Sequence, residues 1–271
     1  MRVVESFIAA KGGVPEACED GIVLGTHFSG VIDGATDKSG RRFAGLSGGR
    51  FVMLVLSEAV ERLEPGVDAR AAVDALSEAV AAELPDGLPE LERPSAAITL
   101  YSAARRELWQ VGDVGFTFPG RPAEARQKKV DRVNVEMRAA VLRAELLRGA
   151  TLDELAADDP GRAAIMPLLT RQVYFANADP AEAGELAYGT LDGRRVPDAL
   201  IGVTALPPNV GEVIIGSDGY PELMGTLSES ERHLKILLAE DPLCIGELAG
   251  TKGVRPDQDS YDDRAYLRLE L

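Results

Sequence analysis

A layered α/β sandwich, α+β in organisation with helices covering antiparallel sheets, is the fold class that the sequence predicts. Several short β-rich runs alternate apolar with polar residues, these runs come in pairs around turn residues, and the helical stretches between them are also paired. A doubly wound parallel sheet would instead alternate one strand with one helix.

The elements follow in order. VVESFIAA and IVLGTHFSGVID, punctuated by KGG and EDG, read as strands and predict a first hairpin. From Gly49, FVMLVLSEAVERL and then Ala69 to Leu84 carry apolar residues at three- and four-residue spacing and read as two helices, the second ended by PDGLPELERP. SAAITLYSAARRELWQVGDVGFTF predicts a second hairpin, with AARRE as its turn and an outgoing strand that runs into Gly112-Asp113. Lys128 to Phe175 is helical, interrupted at GATLDELAADDPGR, where Thr151 can cap a short helix. LIGVTALPPNVGEVIIGSDGY supplies two more strands, SESERHLKILLAE a helix and AYLRLEL a closing strand. No internal repeat or low-complexity linker divides the chain, so it reads as one domain over 1–271 with a helical insert at about 128–180.

Composition narrows the function classes. With 44 acidic against 29 basic residues and a net charge of −15, the 271-residue chain repels phosphate backbones and anionic lipid at long range. Trp109 and the sparse tyrosines are not interleaved with a basic patch, so nucleic acid is not an expected partner. No apolar run reaches the roughly 20 residues that span a bilayer, and the first residues lack a secretory pattern, so a cytoplasmic protein with no membrane partner is expected. Cys18 and Cys244 stand alone, which disfavours thiolate zinc sites and disulfides. LSGGR lacks the lysine and spacing of a phosphate loop; close packing of a helix on a sheet explains its glycines better.

The aspartates carry the chemistry. Asp33 ends FSGVID, Asp113 ends ELWQVGD, Asp218 ends EVIIGSD, and Asp20 follows Glu19 just before IVLG. An aspartate at the end of an apolar strand presents its carboxylate at the rim of a sheet, where several such ends can converge on a hard divalent cation. Gly34 and Gly219, following Asp33 and Asp218, allow a sharp turn and leave a carbonyl free to act as a ligand, although Asp-Gly is also a common turn dipeptide.

In this order the fragments resemble the metal-dependent serine/threonine protein phosphatases of type 2C, the PPM-type phosphatases. The matching motifs are Glu19-Asp20, VIDG ending at Asp33-Gly34, VGD ending at Asp113, IIGSDG with Asp218, and Asp262-Asp263 before AYLRLEL, and they span nearly the whole chain. The resemblance implies a four-layer α-β-β-α sandwich of two antiparallel sheets flanked by helices. It further implies that Asp33 bridges two Mg²⁺ or Mn²⁺ ions, with the Gly34 carbonyl, Asp218 and Asp262 completing the ligand set. Glu19 and Asp20 would act through metal-bound waters, and Asp113 with Asp218 could hold a looser third ion. Asp33, Asp218 and Asp262 would then be the catalytic residues, and a water bridging the metals the nucleophile. The choice of Asp262 over Asp263 rests on register.

Two departures qualify this. The family follows its first Asp-Gly with a histidine able to protonate the leaving group, whereas the run here is Asp33-Gly34-Ala35-Thr36-Asp37. His27, read on the same strand as Asp33, is six residues and roughly 20 Å away, and His233 lies in a helix with a charged face; both read as packing or surface histidines. Pro15 stands where many members place an arginine that grips the substrate phosphate. Lys11 or Arg255, with Lys252 behind them, can replace it as phosphate-binding residues. TRQVYFAN and the helical insert before it fall where the family carries a variable flap.

The expected function is that of a Mg²⁺/Mn²⁺-dependent phosphomonoesterase acting on a phosphorylated protein, through phosphoserine or phosphothreonine, or on a small phosphomonoester. The alternative is a catalytically reduced relative that binds or regulates a phosphorylated partner. An amide hydrolase with an N-terminal nucleophile is disfavoured, since no Ser, Thr or Cys stands at or just after Met1.

Overall fold

A computed structural model describes residues 1–36, 38–121 and 128–271; Asp37, which closes the run after Asp33, lies outside the described residues. In chain order the elements are β1 (Arg2–Ala9), β2 (Asp20–Leu24), β3 (Phe28–Gly34), α1 (Gly48–Glu61), α2 (Ala69–Glu83), β4 (Ala96–Ser102), β5 (Glu107–Val111), β6 (Gly115–Thr117), α3 (Lys129–Leu147), α4 (Leu152–Ala157), α5 (Pro160–Arg171), α6 (Pro180–Ala183), β7 (Ile201–Ala205), β8 (Glu212–Gly216), α7 (Leu227–Glu240) and β9 (Arg264–Glu270). The strands form two sheets, ordered β1-β9-β8-β6 and β2-β3-β4-β5-β7, with antiparallel pairing throughout.

Helices α1 and α2 cover the outer face of the five-stranded sheet, burying Leu56, Val52, Leu76 and Val80 against Ile32, Ile98 and Trp109. Between the sheets Val31, Tyr101, Leu108, Val213, Ile215, Leu267 and Leu269 make a second core. Leu234 of α7 packs on Ile214 and Tyr266 across the outer face of the four-stranded sheet. The result is the expected α-β-β-α layering of two antiparallel sheets flanked by helices. Both faces of the central strands are covered, which is why β3 and β4 read as nearly continuous apolar runs: neighbouring Val31 and Ile32 serve different cores.

The first hairpin differs from the expectation. It forms within IVLGTHFSGVID, between β2 and β3, closed where the Gly25 amide donates to the Phe28 carbonyl at 2.9 Å; β1 joins the other sheet, against β9. His27 therefore sits in an exposed turn and not on the strand of Asp33. The reason is physical: Gly25 reverses the chain where a continuous strand would have exposed its apolar side chains, and the pairing of β1 with a strand at the far end of the sequence leaves no local trace. The second hairpin, with Arg106 at φ 52° in its turn, forms as expected. Thr151 caps α4 with a reciprocal Glu154 contact.

Gly34 and Gly49 meet back to back: a Cβ on either would stand 2.4–2.7 Å from the backbone of the other, so the start of α1 abuts the end of β3. The glycines of LSGGR thus serve helix–sheet packing.

Helices α3 and α5 pack at Gly161, where a Cβ would meet the Arg138 carbonyl at 2.7 Å. Arg138 is 1% exposed, and its guanidinium reaches Asp159 at 2.8 Å and the carbonyls of Leu243, Cys244 and Gly250 at 2.8–3.0 Å. It ties the helical insert to the loop after α7. Arg138→Met leaves these acceptors buried without a donor and is expected to cost about 3–5 kcal/mol in chemical denaturation.

Candidate active site

The rim where β2 begins and β3, β5 and β8 end gathers the carboxylates. Asp20 and Asp33 are directly opposed across β2 and β3, and Asp33 has the parity of Val31, so it faces the space between the sheets. Like charges placed opposite each other on one face destabilise a strand pair. From the other sheet, β8 delivers Asp218, whose following Gly219 has no room for a side chain because a Cβ would fall 2.0 Å from the Asp263 carbonyl. Asp113 follows β5 after Gly112, whose φ of +88° turns the chain towards the second sheet.

These groups line a cavity of about 520 Å³, to which Asp33, Asp113, Asp218 and Asp262 contribute, together with Lys128, Asp131, Arg162 and Tyr188. Protein surrounds the carboxylates, while the cavity keeps them wet: Asp33 is half-buried and Asp218 exposed to the cavity space. Loss of bulk hydration, then repulsion from Asp20, Asp113 and Asp262, pushes the Asp33 carboxyl well above the ordinary range. Asp218 is raised in the same way by burial, Asp33, Asp262 and Asp113. Asp20 is raised by burial even though Ser217 donates a 2.5 Å hydrogen bond to it.

The remaining acids are held by named partners. Both Glu19 oxygens accept hydroxyls at 2.7 Å, from Thr36 and from Ser47 at the head of α1. Asp263 turns inward and accepts the backbone amides of Lys11 and Glu19, both at 2.9 Å. Asp262 faces the cavity between two ammonium groups, Lys252 at 2.6 Å and Lys11 at 3.1 Å. Burial would raise its carboxyl, but Lys252 and Lys11 outweigh this and hold it below the ordinary value. Lys11, also 3.6 Å from Asp263, is held above its own ordinary value by these carboxylates against the opposing effect of burial. Lys128 pairs with Asp113 at 2.9 Å and lies 5.1 Å from the centre of the Tyr188 ring.

Of the residues expected at the site, Asp33, Gly34, Asp113, Asp218 and Asp262 line the cavity. Glu19 and Asp20 stand behind them in structural hydrogen bonds, Lys11 is committed to Asp262 and Asp263, and Arg255 is exposed and not among the cavity-lining residues. Lys128, Asp131, Arg162 and Tyr188 escaped the sequence reading. For Lys128, Asp131 and Arg162 the one signal was their place between residues 128 and 180, where Thr170, Gln172 and Val173 of the TRQVYFAN stretch also reach the cavity.

The donor set fits a hard divalent cation in part. Among the described residues no cation pairs with Asp33 or Asp218, and their mutual repulsion is what a bound cation relieves. Asp262 is already neutralised, and among the described residues no three acidic, histidine or cysteine side chains converge as a ready cage.

Asp33→Asn tests the repulsion directly. A raised carboxyl is protonated, and so costs nothing, below its unfolded value of about 3.9; its penalty grows as the pH climbs through the folded value. In metal-free buffer the variant is therefore expected to melt roughly 2–4 °C above wild type at pH 8, with the gap closing towards pH 4, as read by scanning calorimetry.

No family model and no curated protein matches the chain. Among solved structures it is similar to the serine/threonine phosphatase PstP/Ppp of Mycobacterium tuberculosis (18% identity, 100% of this chain and 99% of that one, TM-score 0.48). It is also similar to the serine/threonine phosphatase Stp1 of Staphylococcus aureus (12%, 100% and 96%, TM-score 0.49). The catalytic domain of PstP in complex with two manganese ions is a third such structure (17%, 97% and 96%, TM-score 0.49). The layering assigned above rests on strand order and register.

Proposed function

We propose that this chain is a Mg²⁺- or Mn²⁺-dependent phosphomonoesterase whose substrate is a phosphorylated serine or threonine of a protein, or a small phosphomonoester, and whose nucleophile is water. The observation that carries this reading is the convergence of Asp33 and Asp218, from different sheets, on one cavity floor with no cation partner among the described residues. A divalent cation held there supplies a lowered water pKa and offsets charge developing on phosphorus.

The chain's own residues do the rest. Asp33 and Asp218, with the Gly34 carbonyl beside them, hold the cation; Asp20 keeps its place through Ser217, and Glu19 through Thr36 and Ser47. Asp262 would complete the ligand set if Lys252 and Lys11 released it. No histidine lines the cavity among the described residues: His27 is exposed and His233 stands 3.5 Å from Glu222 on α7. A leaving group that departs without protonation is therefore favoured over a serine alkoxide.

A second reading, a catalytically reduced protein that binds or regulates a phosphorylated partner, is favoured by the same missing histidine and by the two lysines on Asp262. Hydrolysis of p-nitrophenyl phosphate separates the two. The first reading predicts turnover that requires Mn²⁺ and falls at least about a hundredfold in Asp33→Asn and Asp218→Asn. No turnover, together with calorimetric binding of a phosphopeptide, selects the second.

Lys252→Met removes a cation that competes for Asp262, and calorimetric titration with Mn²⁺ is expected to show binding about tenfold tighter than wild type, with the loss of one salt bridge as its cause.

A further inference from the structure

Six cations approach the cavity, and three of them are neutralised there. Lys11 and Lys252 pair with Asp262, and Lys128 pairs with Asp113. The other three, Arg93, Arg162 and Lys38, form no ion pair among the described residues and all line the cavity; Arg93 donates to the Asp192 carbonyl at 3.0 Å, which leaves Arg162 and Lys38 to be considered.

Arg162 stands in the first turn of α5, placed by Pro160 and by the Asp159 cap, which accepts the Arg162 amide at 2.7 Å. Among the described residues its side chain makes one hydrogen bond, from Nη1 to the Thr251 carbonyl at 2.8 Å, which aims the guanidinium while leaving most of its five donors uncommitted. Burial and the neighbouring Arg138 push it below its ordinary value, outweighing the opposite pull of Asp159 and Asp262, neither of which forms an ion pair with it. Lys38 comes from the loop after β3 and donates to the Thr36 carbonyl. Although the residue as a whole is exposed, its ammonium is pushed down to about 8, by lost hydration first and then by Lys252, Arg162 and Lys128.

Cations that line a cavity without an ion pair of their own are desolvated at a cost, and an anionic ligand is what recovers it. Two cations from different chain segments, one a planar fork and one a point charge, suit a dianion with several equivalent oxygens; phosphate meets both geometries. Apolar Val135, Leu169 and Val173 of the insert are available beside them for the organic part of an ester.

We propose that Arg162 and Lys38 are the residues that recognise the phosphate group of the ligand, Arg162 through its fork and Lys38 as a second counter-charge. This deepens the phosphomonoesterase reading and rests on it for the identity of the ester, but the recognition itself requires no bound metal. It assigns to the insert and the β3 loop the part for which sequence had suggested Lys11 and Arg255.

The test is calorimetric titration of the full chain with inorganic phosphate in chelator, without divalent cations. Wild type is expected to bind, Arg162→Met to bind at least about tenfold more weakly, Arg162→Lys to keep part of the affinity, and Lys38→Met to lose several-fold. Arg132→Met, an exposed change on α3, is expected to bind as wild type. If Arg162→Met does not fold, Arg162→Lys and Lys38→Met decide. Wild type failing to bind at millimolar phosphate, or both Arg162 and Lys38 variants binding as wild type, overturns the proposal. The two levels fail separately: phosphate binding lost in these variants without any Mn²⁺-dependent hydrolysis sinks the phosphatase reading alone, whereas hydrolysis with an unchanged KM in both variants sinks the recognition pair alone.

Discussion

Repulsion among carboxylates at one sheet rim is the constraint around which the rest of the structure is arranged. Asp20 and Asp33 oppose each other across β2 and β3, and Asp218 arrives from the other sheet. Strand pairing fixes the first two, so they cannot move apart without breaking the ladder. Nearly every polar group nearby serves this charge. Ser217 donates to Asp20 while its oxygen accepts the Ala265 amide, which joins the β8 end to β9. Ser47 spends its hydroxyl on Glu19, not on capping α1. Asp263 takes two backbone amides and locks the chain before β2 to the chain before β9, which leaves Asp262 as the member of the pair that faces the cavity. What remains uncompensated is Asp33 and Asp218.

The insert answers this negative floor with a positive wall. Arg138 anchors α3 to the loop that carries Thr251 and Lys252, and Thr251 in turn orients Arg162. Three separate segments thus act on one cavity through hydrogen bonds to backbone carbonyls, which hold a guanidinium in place without neutralising it.

Local signals made much of this legible from sequence. The alternation in β3, the cap at Thr151, the AARRE turn and the aspartates at strand ends are short-range features, and the structure shows each where its residues stand. Long-range pairings left no such trace. β1 meets β9 across almost the whole chain, and nothing in VVESFIAA distinguishes that partner from β2. His27 misled for a related reason: GTHF is flanked by apolar residues on both sides, so the turn hides inside one apparent strand. Asp262 and Asp263 are adjacent and chemically identical, and only the amides of Lys11 and Glu19 distinguish them. Lys128 and Arg162 lie in an amphipathic insert where basic residues ordinarily cover a solvated face; their place in the cavity follows from how α3 and α5 close on Gly161.

Anomalous diffraction from crystals soaked in Mn²⁺ tests the central claim most directly. A manganese peak with Asp33 and Asp218 as ligands, growing to include Asp262 in Lys252→Met crystals, is the expected result. Crystals that hold no manganese at the Asp33–Asp218 floor, in wild type and variant alike, would contradict it.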